Sequence, residues 1–216
     1  LVDVTDIGRY KCEAIALHLA PLRAERLTEL SPIPATASHR SSMAALKRCE
    51  VLISCTDDDS GRLIATMIAT LYHKVHIDVA SGIQIESARS AGRAPHRRMG
   101  LDVRLGLPGA NGCLICRGNV HDFDGAVEGI ARGMPISQTR GDFRRQRAGS
   151  LHSLNTLACS IALSMLQDLV AERIESSTWA QLDIDEQGRL TIRYPELPAA
   201  NEASNCELCA KAGDLF

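Results

Sequence analysis

The sequence predicts an α/β protein with a mainly parallel sheet, an antiparallel extension towards its C-terminus and a four-cysteine metal site. Three observations carry this. Short apolar runs rich in β-branched residues, Val51 to Cys55 and Val75 to Ala80, alternate with amphipathic stretches of helical period. That is the pattern of strands covered on both faces and joined by right-handed crossovers. Ala180 to Asp185 and Leu190 to Tyr194, joined by Glu186, Gln187 and Gly188, read as a hairpin. Two Cys-x-x-Cys pairs, Cys113 with Cys116 and Cys206 with Cys209, stand far apart in the chain.

The 216 residues, 45% of them hydrophobic, suffice for one buried domain spanning 1–216. A formal charge of -2 implies neither a nucleic-acid surface nor an acidic tail. Aromatics make up 3%, with one tryptophan, which argues against the stacking platforms that bind single strands, so no nucleic-acid partner is expected. No apolar run approaches the roughly 18 residues of a membrane span and no signal-peptide pattern opens the chain. A cytoplasmic protein without a membrane partner is expected. The chain opens on Leu1, mid-pattern, and reads as the later part of a longer protein.

Taken in order, Asp6 to Leu22 reads as a helix, with Asp6 as N-cap and Pro21 as its stop. Lys11 lies in its first turn, where a cation meets the positive end of the helix dipole and an anion such as a phosphate would compensate it. Arg26 to Ile33 reads as a strand ended by Pro32 and Pro34, and Ser42 to Cys49 as a short helix. Ser60 to His73 is a helix whose Leu63, Ile64, Met67, Ile68 and Leu71 form a core face. Glu86 to Gly100, with Arg93, His96, Arg97 and Arg98 among Ala, Ser, Gly and Pro, reads as a mobile loop. Leu101 to Leu107 alternates as a half-exposed strand. Arg117 to Gly149 reads as a long surface excursion. Ser150 to Glu172 is the longest helix, with Leu151, Leu154, Leu157, Ala158, Ile161, Met165 and Leu169 along its buried side and Cys159 as a small buried residue.

The segment that organises the chain is Glu50 to Arg62. Its strand ends in Asp57, Asp58 and Asp59, at the carboxyl end where ligands of open α/β sheets sit. A helix cap accounts for one or two of these acids. Three in a row suit a hydrated magnesium ion as well.

Each cysteine pair is a knuckle that can offer two thiolates to one metal ion. Eighty-nine residues separate them, so only the tertiary fold can unite them. Either pair alone could be a redox motif, but neither precedes a thioredoxin-like helix. A closed, four-thiolate zinc site made by Cys113, Cys116, Cys206 and Cys209 is the preferred reading. Four thiolates leave no open position, so such a metal staples the tail to the body and performs no catalysis.

Together these residues resemble the ThiF/MoeB/HesA family, relatives of ubiquitin-activating enzymes. Gly8-x-x-Lys11 before an amphipathic helix is similar to that family's Gly-x-x-Lys. Thr56-Asp57, with Arg62 five residues after the acid, is similar to its Thr-Asp-Asn-x-x-x-Arg segment. The knuckles match its zinc pairs in order and position. The resemblance implies a Rossmann-like sheet that binds ATP and magnesium and adenylates the C-terminal glycine of a ubiquitin-like or sulfur-carrier protein ending in Gly-Gly. It also implies a homodimer. Lys11 would contact the ATP phosphates, Asp57 with Asp58 would serve the magnesium ion, and Arg62 would support the carboxylates or the acyl-adenylate.

Departures from that pattern matter. The family's Gly-rich phosphate loop, ribose-binding acid and Ser-Asn-Leu-x-Arg segment all precede the point where this chain begins, so the chain as it stands is expected to bind ATP poorly or not at all. Asp58 replaces the usual asparagine. No cysteine lies between Arg117 and Ala158, so adenylation without a thioester on that loop is expected. The alternative is a catalytically silent, zinc-stapled module that binds such a carrier or pairs with an active subunit. A nicotinamide dehydrogenase ranks third, because it leaves the cysteine pairs and the Asp57 to Arg62 segment without a role.

Overall fold

The structure is a computed structural model that describes residues 3–23, 28–86, 96–109, 112–118, 120, 122–132, 151–196, 206 and 208–212. A 3-10 turn at Val4–Asp6 leads to α1 (Lys11–Leu19) and a second 3-10 turn at Ala20–Leu22. Then follow α2 (Arg40–Arg48), β1 (Val51–Ser54), α3 (Asp59–Leu71), β2 (Val75–Glu86) and β3 (His96–Gly106). The chain continues through α4 (Phe123–Arg132), α5 (His152–Val170), β4 (Thr178–Ile184) and β5 (Leu190–Arg193) to a 3-10 turn at Cys209–Lys211.

The α/β class is as expected, but the sheet is mixed and mostly antiparallel. Its order is β1-β2-β3-β4-β5, and only β1 and β2 run parallel. The reason lies in the connections. α3 carries the chain back from β1 to β2 as a crossover, whereas only residues 87–95 join β2 to β3. A parallel return needs about a dozen residues or more, so this link makes an antiparallel pair. The terminal hairpin is as expected: β4 pairs antiparallel with β5, and Gly188 supplies the positive φ of +75° in its turn.

Each face of the sheet carries a core. Ile77 and Val79 of β2, Leu101, Val103 and Leu105 of β3, and Ala180 and Leu182 of β4 meet Leu154, Ala158, Ala162 and Met165 of α5. On the other face Leu52 of β1 meets Ile64, Ile68 and Ala69 of α3, flanked by Met43 and Leu46 of α2 and Ile130 of α4. An 18-residue window of α5 reaches a mean hydropathy of 1.2, enough by length and composition to cross a membrane. Leu154, Ala158, Ala162 and Met165 of this helix pack on the sheet, while Leu157, Leu163 and Val170 are exposed.

Several boundaries differ from expectation. Asp6 caps no long helix: Gly8, at φ +92°, breaks the chain, and Asp6 closes a capping box with Asp3 around the first 3-10 turn. Residues 28–33 form no strand, and 24–27 lie outside the described residues. His96 to Gly100 belong to β3 rather than to a loop, while Arg93 lies outside the described residues. The excursion after Arg117 contains α4, and residues 133–150 lie outside the described residues. On α5, Leu157 and Cys159 are exposed, because the stripe facing the sheet runs through Leu154, Ala158, Ala162 and Met165 and passes between them.

Candidate functional site

The two knuckles converge. Glycines 109, 112 and 118, at φ +72°, +83° and +66°, turn the chain after β3 so that Cys113 and Cys116 face one point. Leu114, 2% exposed, anchors this knuckle in the core, and buried Arg117 donates from Nη1 to the Leu105 carbonyl at 3.2 Å. In the tail, the Ala210 N–H closes on the Cys206 carbonyl at 3.0 Å, and the Cys209–Lys211 turn packs against α3. The Sγ separations are 3.9 Å for Cys113–Cys116, 3.9 Å for Cys113–Cys206 and 3.6 Å for Cys116–Cys209. All four Sγ atoms lie within 4.8 Å of one another.

These distances discriminate. A tetrahedron of sulfurs at the zinc–thiolate bond length has edges of about 3.8 Å, whereas a disulfide would bring two sulfurs to about 2.05 Å. All four cysteines are free. The Cys113 N–H points at the Cys209 sulfur at 3.2 Å, which stabilises a thiolate there. The site therefore fits a metal of zinc type: soft donors, tetrahedral spacing and a tail that the ion would tie to β3 and α3.

The thiols respond as a set. Burial first, and then the neighbouring thiols, pushes Cys116 up to about 11. Burial likewise raises Cys209, while Cys206, despite its burial, is lowered by the Cys209 and Leu208 backbone N–H groups and by the nearby thiols. Without a cation Cys116 and Cys209 keep their protons at neutral pH, so loading the metal releases them. Metal affinity accordingly rises with pH and the ion is lost in acid.

The acids after β1 divide their work. Asp58 is the N-cap of α3, its Oδ1 accepting the Gly61 N–H at 2.7 Å, which bears out the capping reading for this acid. Gly61 is required there, because a Cβ on it would lie 2.7 Å from Thr56 Cγ2. Asp59 accepts the Asp122 N–H at 3.0 Å, holding the start of α4 on α3. Asp57 is exposed at the carboxyl end of β1. Arg62 donates from Nη2 to the Thr56 carbonyl at 3.2 Å and stands 3.7 Å from both Asp59 Oδ1 and Asp78 Oδ1. Asp57, Asp58 and Arg62 thus share one strand end. Lys11 stands exposed on α1, which packs mainly against its own 3-10 turn. Of the two acids named for magnesium, Asp58 is thus engaged as the cap of α3.

Beneath this strand end lies a polar group that the sequence reading missed. Ser54 Oγ donates to Asp78 Oδ1 at 2.5 Å and is 2.8 Å from His76 Nε2, all three residues being buried. The hydroxyl proton goes to Asp78, so the His76 Nε2–H donates to Ser54. A hydroxyl at the centre is the reverse of a hydrolytic triad, where the imidazole lies between serine and acid. The signal was present as the alternation of His76 and Asp78 with Val75, Ile77 and Val79.

Burial lowers His76 to about 4, against the opposing charge of Asp78. Between pH 6.5 and about 4 the unfolded chain therefore binds a proton that the folded one refuses, and stability falls as the pH drops through this window by up to about 3 kcal/mol. Urea unfolding at pH 7 and pH 4.5 should show this fall in the native chain. His76→Gln, which keeps a donor to Ser54, should lose that part of it. An equal fall in both would show that His76 does not contribute.

Compared with known proteins, the chain matches no family model and no curated protein.

Proposed function

We propose that this chain is a metal-stapled part of an adenylyltransferase of the ThiF/MoeB/HesA kind. It activates the C-terminal glycine of a ubiquitin-like or sulfur-carrier protein with ATP. The observation that carries the reading is the end of β1, which is followed by exposed Asp57 and by an Arg62 held on α3 by the Thr56 carbonyl and near the carboxylates of Asp59 and Asp78. The four-cysteine centre supports it from the other end of the chain.

In the reaction a carboxylate oxygen of the glycine bonds to the α-phosphorus as the bond to the bridging oxygen breaks and pyrophosphate leaves. Its demand is for fixed cations rather than a covalent nucleophile. Arg62 meets that demand with a guanidinium whose position costs little to maintain, being already bonded. Asp57 would hold magnesium, with Asp58 fixing the helix start beside it, and Lys11 would reach the phosphates. Magnesium and ATP supply charge neutralisation and the leaving group when bound, and the metal at the cysteines stays structural. A cytoplasmic homodimer without nucleic-acid or membrane partners belongs to the same reading.

ATP–pyrophosphate exchange by the full natural protein, with carriers ending in Gly-Gly, tests it. Exchange should require the carrier and fall at least about a hundredfold in Asp57→Ala. Exchange indifferent to Asp57→Ala would remove that residue from the reaction. No exchange with any carrier, from folded and metal-loaded protein, would favour a silent module that binds a carrier or a partner subunit.

A further inference from the structure

Arg117 follows Cys116 directly in the chain and is only 5% exposed, whereas the four cysteines of the cluster are half-buried. Its place is well fixed. Gly118, at φ +66°, closes the knuckle with its N–H on the Ile115 carbonyl at 3.0 Å, and Arg117 Nη1 donates to the Leu105 carbonyl at 3.2 Å. A Cβ on Gly106 would stand 4.0 Å from that nitrogen, so the guanidinium lies against the end of β3.

A bond to one carbonyl does not neutralise a buried cation, and burying a guanidinium is costly unless an anion stands near it. Burial pushes Arg117 down from the ordinary arginine value, while the charges of Cys113, Cys116 and Cys209 act to raise it. Arg104, buried on β3 where it pairs with Asp78 of β2, repels it. Three cysteines drawn from both knuckles therefore act on one guanidinium.

The centre has the complementary need. Four thiolates around one divalent zinc ion leave two negative charges in a half-buried place. The Cys113 N–H on the Cys209 sulfur, and the Cys209 and Leu208 N–H groups on Cys206, offer dipoles but no full charge. Binding the metal requires every sulfur as a thiolate, so the negative charge facing Arg117 is largest with the ion in place.

We propose that Arg117 is the counter-ion of the metal–thiolate centre, a buried cation that offsets the charge of four sulfurs around zinc and so sets how tightly the ion is held. Metal and arginine then stabilise each other. The inference rests on the four-thiolate reading of the centre and is independent of the adenylation reading.

The test is the zinc affinity of the chain, measured by competition with a chelator, together with thermal unfolding before and after zinc is removed. Three variants separate charge from hydrogen bond. Arg117→Gln keeps a donor for the Leu105 carbonyl without the charge, Arg117→Met removes both, and Arg117→Lys keeps the charge. Zinc affinity should fall at least about tenfold in Arg117→Gln and Arg117→Met, as when other groups that support metal ligands are lost, and stay within about threefold in Arg117→Lys. Arg117→Met should lower the unfolding temperature of the zinc-loaded protein and leave that of the metal-free protein equal or higher, because the metal-free fold buries the cation against less charge. A merely structural arginine would instead give equal losses with and without zinc, and that result would overturn the proposal. So would an affinity unchanged in Arg117→Gln, or one that falls as far in Arg117→Lys. A native chain that binds no zinc would overturn the four-thiolate reading as well, which keeps the two failures distinct.

Discussion

Cys206→Ser is expected to release the metal and free the tail from β3 and α3, lowering stability by more than about 3 kcal/mol. The magnitude follows from the site's closure. Whole structural zinc sites supply apparent free energies of about 10–16 kcal/mol in small domains, and a three-thiolate remnant retains only part of that. Among the described residues, apart from the cysteine cluster, the Cys209–Lys211 turn on which this loss falls packs chiefly on α3. For a chain of this size the midpoint of thermal unfolding should drop by about 6–12 °C. Scanning calorimetry checks it, with Cys159→Ser as control. That cysteine is exposed on α5 and outside the cluster, so its loss should leave the midpoint unchanged.

Asp78→Ala is expected to cost about 3–5 kcal/mol, the range for removing one partner of a buried charge pair. Asp78 is fully buried, accepts the Ser54 hydroxyl and faces Arg62 at 3.7 Å. Its removal leaves the Ser54 donor without its acceptor and Arg62 without one of its two carboxylates. Asp78→Asn keeps an acceptor for Ser54 and loses only the charge, so it should cost less than alanine. Denaturant unfolding of both variants separates the hydrogen bond from the charge. Equal costs would assign the whole effect to charge.

The four-cysteine cluster was the most legible part of the sequence, because Cys-x-x-Cys spacing encodes the local geometry of a knuckle whatever surrounds it. The terminal hairpin was legible for a similar reason, its turn chemistry lying in three consecutive residues around Gly188. The direction of the sheet was not. β2 and β3 run on into Glu86 and back from His96 through residues whose Gly, Ser and Arg content reads as loop, and their pairing partner, not their composition, makes them strands. α4 was hidden by Gly125 and Gly129, which lower its helical propensity and are offset by packing of α4 on α3. His76, Asp78 and Arg104 were visible as polar positions in alternating strands. What they meet across the sheet is a tertiary fact. On α5 the apolar residues nearly encircle the helix, so period alone could not tell that Leu157 and Cys159 face outward.

The most direct test of the closed, structural metal centre is X-ray absorption at the metal edge together with metal content per chain. About one zinc per chain, surrounded by four sulfurs at about 2.3 Å and lost together with the folded tail on chelation, is the expected result. A fully folded protein without metal, or an ion holding fewer than four sulfurs and an oxygen from water, would contradict it. In the latter case the centre would be open, and catalysis at the metal would have to be considered in place of a staple.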